Sequence, residues 1–214
     1  MRERAEIVLQ RLLERYPETK STLNAVSPWE ILVSTILAAQ CTDARVNAVT
    51  PEFFRHWPDP QSLARARRED VERVIRSTGF FRNKASHLIQ SARIIRDRHA
   101  GKVPGSMDEL LQLPGVARKT ANIVLSGAFG VQEGIAVDTH VKRQANRLGL
   151  SRSENPDRIE KDLTALLPRP EWGRINHLLV QFGRDVCRAR TPRCSVCELS
   201  DICPRIGVAD GEAA

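Results

Sequence analysis

The sequence predicts an all-α fold, and three observations carry that prediction. Strand-like alternation of apolar and polar residues is scarce, start signals for helices recur, and Gly79, Gly101, Gly130 and Gly149 fall where helices should stop. Together they imply about ten helices with short connections. No low-complexity segment, fixed-period repeat or long linker is present, so any division into domains must lie between packed helices.

Each element follows in chain order. The opening MRERAEIVLQRLLERYP mixes acids with arginines and has no uninterrupted apolar run, which suits an amphipathic first helix better than a signal peptide. Ser27 precedes Pro28 at the first helical position, with Glu30 at the third, a capping box that opens an apolar run through Leu37. The stretch ILVSTILAA, residues 31 to 39, is the longest apolar run and is too short to cross a bilayer. Asp59-Pro60 and Asn155-Pro156 mark two further starts, and Ser106 to Glu109 repeats the capping-box signature. The final GVADGEAA is expected to fray.

A chain of 214 residues can bury one large core or two small ones, so its five cysteines must serve something besides bulk stability. The 33 Lys and Arg against 26 Asp and Glu give a formal charge of +7, the footprint of a polyanion binder, although charge alone names no partner. Without a signal peptide or membrane span the expected location is the reducing cytoplasm, where close thiols favour metal binding over disulfides. Cys41, isolated in sequence, is expected to be a small buried hydrophobe.

The most informative interior stretch is MDELLQLPGVARKTANIVLSGAFG, residues 107 to 130. A short helix runs into the turn Leu113-Pro114-Gly115-Val116-Ala117, and a second helix begins near Arg118. Such a turn can be a plain corner, or it can aim backbone N–H groups at the mouth of a helix N-terminus, where the dipole favours a phosphate. Arg118 and Lys119 follow at once. Near the end, Cys187, Cys194, Cys197 and Cys203 are separated by six, two and five residues. The short central C-x-x-C suits one metal or one cluster, and by spacing alone structural zinc is the commoner occupant. Arg188, Arg190 and Arg193 lie between the first two of these cysteines, with Arg184 just before them.

LPGVARKTAN resembles the helix-hairpin-helix of the DNA glycosylases, and VDTHVKR, residues 137 to 143, resembles the segment that carries their catalytic aspartate. With the terminal cysteines, the resemblance is to the endonuclease III family of base-excision repair enzymes, over essentially the whole chain and with the three motifs in order. It implies two helical domains flanking a DNA-binding cleft. One is a barrel domain at 21–133 containing the hairpin; the other joins 1–20 to 134–214 and carries the cluster loop, 187–203. It also implies one 4Fe-4S cluster on the four thiolates, a cytoplasmic monomer, nucleoid-associated if bacterial, and double-stranded DNA holding a damaged base or abasic site as partner.

The same resemblance implies a bifunctional glycosylase and lyase that removes oxidised pyrimidines. Lys119 would attack the sugar to form a Schiff base, and β-elimination would then cut the strand. Asp138 would stabilise positive charge on the sugar and help the attacking group shed its proton. Gln40 and Phe80 take the places of residues that fill the gap left by an extruded nucleotide. Gly115, Val116, Ala117, Arg118, His140 and the loop arginines would contact DNA. One departure stands out: the hairpin's second glycine is replaced by Ala117, which tolerates positive φ poorly.

Blander readings exist for each position. Lys119 suits a solvated first turn, Asp138 an N-cap, Gln40 a helix end and Phe80 a core aromatic, with Phe81 the better core candidate. His177 reads as a packing residue, since four thiols already complete a ligand set. At the level of function, the alternatives are a monofunctional mismatch glycosylase acting on adenine or on thymine or uracil, disfavoured by lysine at 119, and a non-catalytic DNA-binding module with a structural metal.

Overall fold

The computed structural model describes residues 1–208, so all but the first two residues of the terminal GVADGEAA lie outside it. The described residues form eleven α-helices and no strand, one helix more than the sequence suggests. In order they are α1 (Arg2–Arg15), α2 (Pro28–Leu37), α3 (Asp43–His56), α4 (Pro60–Ala64), α5 (Arg68–Ile75), α6 (Phe81–Arg98), α7 (Met107–Leu111), α8 (Arg118–Phe129), α9 (Thr139–Arg147), α10 (Pro156–Leu166) and α11 (Trp172–Asp185). Among the described residues no helix is long and apolar enough to cross a membrane.

The capping chemistry is visible at all four starts that the sequence marks with a cap and proline or a capping box. Ser27 Oγ accepts the Glu30 N–H at 3.2 Å while Glu30 Oε2 accepts the Ser27 N–H at 3.1 Å, a complete box. Asp59 caps α4, and Asn155 Oδ1 accepts the N–H groups of Asp157 and Arg158 at the start of α10. At α7 the box is only half made. Ser106 Oγ accepts the Glu109 N–H, but the Glu109 carboxylate takes the serine hydroxyl instead of the backbone N–H. Gly130 and Gly149 end α8 and α9 with φ of 66° each, whereas Gly79 ends a 3-10 turn, Arg76–Thr78, and not an α-helix.

The chain divides into two compact units. Residues Ser21–Glu133 form one, around a core of Leu32, Leu37, Phe53, Leu63, Ile75, Leu88, Ile95 and Leu125. Within it α6 packs extensively on α4, and α2 on α8. The other unit joins Met1–Lys20 to the chain from Gly134 onward, around Val8, Leu12, Val141, Ile159, Leu163, Leu179 and Phe182. Here α1 returns to lie on α10 and α11. A polar clasp secures it: Arg15 Nη2 donates to Asp185 Oδ2 at 2.9 Å and the Tyr16 hydroxyl donates to the same oxygen at 3.0 Å. Those two bonds hold the Asp185 carboxyl below the usual carboxylate range.

Candidate active site and nucleic-acid interface

The hairpin turn is built around one glycine. Gly115 has φ of +81°, and a Cβ added there would approach the His87 side chain on α6 to 3.0–3.2 Å, so angle and space both require glycine. Ala117 has φ of −93°, which alanine adopts without strain, so the departure from the glycine pattern costs the backbone nothing. Val116, one of the expected DNA contacts, takes a structural place in the turn. Its N–H closes the turn on the Leu113 carbonyl at 3.1 Å and its side chain is buried, so it shapes the turn and does not face outward. Ser91 Oγ of α6 holds the Pro114 carbonyl at 2.9 Å.

Helix α8 starts at Arg118 with no side-chain cap from Ala117. Its first-turn N–H groups therefore lack the capping oxygen that Ser, Thr, Asp or Asn would supply. Arg118 and Lys119 lie exposed in that first turn, beside Gly115 and Ala117, which are exposed as well. An uncapped helix mouth with two cations on it is suited to an anion.

Gln40 and Phe80 belong to the same unit and share an unusual backbone. They are two of four described non-glycine residues with positive φ, at 53° and 47°. Such a conformation costs about 1–3 kcal/mol for a non-glycine residue and persists only where surrounding structure enforces it. Both side chains are exposed, Phe80 at 64 %, so Phe80 is not a core aromatic. Phe81 instead packs against the core, half-buried. Cys41 is half-buried at the margin of that core, not enclosed as expected, because the turn that follows α2 carries it toward the surface.

In the other unit, Asp138 is the N-cap of α9. Its Oδ1 accepts the N–H groups of His140 and Val141, both at 2.8 Å, so capping uses a single carboxylate oxygen. The side chain is half-buried, with His140 two residues on and half-buried too. Arg143 Nη2 lies 3.3 Å from His140 Nδ1 and donates to the Gly183 and Cys187 carbonyls. His140, Arg143 and Gln144 all press on Gly183, where an added Cβ would meet them within 3 Å. Close packing of α9 on α11 depends on that glycine. His177, on α11, is half-buried.

The four terminal cysteines line one cavity, walled by Leu148, Phe182 and Val186 and by the polar side chains of Arg147 and Ser200. Among the described residues no three His, Cys, Asp or Glu side chains converge tightly enough to grip a single metal ion. Burial pushes the Cys197 thiol up to about 11 and also raises Cys203.

The arginine-bearing first half of the loop is closed by the backbone. The Arg193 N–H donates to the Val186 carbonyl at 3.0 Å. Arg184, Arg188, Arg190 and Arg193 are all exposed. From inside, the buried Arg147 guanidinium donates to the carbonyls of Arg188 and Ala189 at 2.7 Å each and lies 3.6 Å from Cys187 Sγ.

Sequence reading missed two such buried cations. Arg147 carried a faint signal, since it falls four residues after Arg143 on the same face of α9. Lys84 carried none: in FRNKASHL it looks like any solvated helix lysine. In the structure it is 5 % exposed, and burial lowers its pKa.

An all-helical chain with this hairpin turn, an aspartate-capped helix beyond it and a four-thiol loop at the end has the features of a helix-hairpin-helix base-excision repair protein. The profile of the HhH-GPD superfamily base excision DNA repair proteins matches residues 33–169. Endonuclease III of Synechocystis sp. is 49% identical over 95% of this chain and 93% of its own length. Endonuclease III of Bacillus subtilis is 40% identical over 92% of this chain and 90% of its own. A solved structure of a trapped endonuclease III–DNA covalent intermediate, in an estranged-adenine complex, superposes with a TM-score of 0.91 at 39% identity, covering 96% of each chain. The chain belongs to the endonuclease III family. It is an enzyme of base excision repair, of the class that combines DNA glycosylase and AP lyase activities.

Proposed function

We infer that this enzyme excises oxidised pyrimidines from duplex DNA and cuts the strand at the resulting abasic site, with Lys119 as nucleophile. The observation that carries the reading is the placement of Lys119 in the exposed first turn of an uncapped helix, directly after the Gly115 turn. A phosphate held at that helix mouth would bring the deoxyribose within reach of the lysine. That the solved relative was trapped as a covalent intermediate with DNA supports a covalent route for this chain.

The neutral Lys119 amine would attack C1′ as the base departs with the glycosidic electron pair and takes up a proton. Ring opening leaves a protonated Schiff base. Loss of a C2′ proton then expels the 3′ phosphate, and water releases the lysine by hydrolysis. Asp138 would oppose positive charge on the sugar and take up the amine's proton. Gln40 and Phe80, exposed and held in left-handed turns, would fill the gap when the nucleotide is extruded.

The four cysteines suit one 4Fe-4S cluster. Thiolates around a cavity match a multi-atom group, whereas one zinc ion draws its ligands in to about 2.3 Å. When bound, the cluster would pin residues 187–203 and hold the loop arginines toward backbone phosphates. We place the enzyme, as a monomer, in the reducing cytoplasm, where thiol ligands persist.

Incubation with a thymine glycol duplex under borohydride tests the reading. We expect a covalent adduct and strand scission from the native chain and neither from Lys119→Met. Scission by Lys119→Met at the native rate would overturn it, and binding with neither base release nor scission by the native chain would leave only a DNA-binding module.

A further inference from the structure

Lys84 is the one lysine buried among the described residues, and the only charged group that acts on it is the Cys41 thiol, not a carboxylate. Its ammonium donates to the Leu37 carbonyl and to the Thr78 carbonyl, at 2.8 Å each. Leu37 ends α2, three residues before Gln40; Thr78 ends the 3-10 turn, two residues before Phe80. One nitrogen therefore ties the two strained turns together. We propose that Lys84 is a positioning residue for lesion recognition, coupling the Gln40 turn to the Phe80 turn so that both side chains enter the duplex as one unit. This rests on the reading of Gln40 and Phe80 as gap fillers.

Packing alone does not account for the residue. A buried ammonium without a carboxylate partner is costly, and methionine would fill the same space without that cost. What methionine lacks is the ability to hold two carbonyls from separate segments at a set distance. The Leu37 carbonyl also lies at the negative end of the α2 dipole, where a cation is favoured.

The rest of α6 extends the same frame. Residues 84, 87 and 91 follow helical spacing along one side. His87 packs on Gly115 and Ser91 holds the Pro114 carbonyl, so the stripe that joins the Gln40 and Phe80 turns also braces the hairpin turn.

The test compares two substrates, each against the native rate. For Lys84→Met we expect single-turnover excision of thymine glycol from duplex DNA to fall by about ten- to a hundred-fold, the scale of a small misplacement. Incision at a preformed abasic site in single-stranded DNA, which has no stack to open, should stay within about twofold. Fluorescence of 2-aminopurine opposite the lesion should lose its rise on binding. In a Gln40→Ala, Phe80→Ala background, Lys84→Met should add less than about twofold, since the coupled groups are gone. Equal loss on both substrates would make Lys84 merely structural and overturn the proposal, as would an unchanged duplex rate. If Lys84→Met does not fold, Lys84→Gln, whose amide can still donate twice over a shorter reach, is judged by the same two rates. Should Gln40→Ala and Phe80→Ala leave duplex excision unchanged, the gap-filling reading fails first. If they lower it and Lys84→Met does not, the positioning inference fails alone.

Discussion

At Asp138 the capping bonds and the proposed chemistry can be separated, because Oδ1 takes both backbone N–H groups of the α9 start. Asparagine caps a helix about as well as aspartate, while alanine at such a position loses about 1 kcal/mol. Asp138→Asn should therefore leave the urea midpoint close to native and lower single-turnover excision by about a hundred-fold or more, the usual worth of a positioned acid–base group. Asp138→Ala should lower both. If asparagine kept full activity, the carboxylate would be a cap and nothing else.

The hairpin turn ties element to sequence more directly than any other part of the fold. Its string of residues is contiguous, so its turn, its glycine and its uncapped helix could be read from the chain, as could the caps at Ser27, Asp59 and Asn155. Two helix starts without a conventional cap could not: α6 begins after a left-handed Phe80 and α11 after Glu171, neither with a side-chain cap. Nor was the burial of Lys84 and Arg147 legible, because Leu37 and Arg188, one partner of each, lie 47 and 41 residues away and burial is set by packing that sequence spacing does not encode. Even in the hairpin, spacing gave no hint that the Val116 N–H is spent closing the turn. Gly115→Ala tests how far that element depends on one φ. A left-handed alanine costs about 1–2 kcal/mol, and the 3.0–3.2 Å approach to His87 adds crowding. Urea unfolding should show a loss of at least about 1 kcal/mol, with weaker DNA affinity. An unchanged midpoint would mean that the turn can relax to negative φ.

Across the whole chain, dependence on the proposed cluster falls on the terminal loop. The unit that carries the cysteines has its own apolar core on α1, α9, α10 and α11, and the loop adds to it the fully buried Leu199 with partly buried Cys187, Cys197, Ile202 and Cys203. Between Cys194 and Cys203 the described backbone forms only a short 3-10 turn, Cys194–Val196, and a few turn bonds. The earlier half is closed by the Arg193 N–H on Val186 and gripped by Arg147. Stripping the iron should therefore leave helical circular dichroism nearly unchanged while opening the chain to trypsin after Arg193 and Arg205. Affinity for duplex DNA should fall, and the slope of log K against log salt should become shallower by about 0.9 for each phosphate that the loop no longer neutralises. A collapse of the helical signal would mean that the thiol ligands organise the whole unit and not just its terminal loop. Unchanged proteolysis and salt dependence would mean that Arg147 and the backbone closure hold the arginines without them.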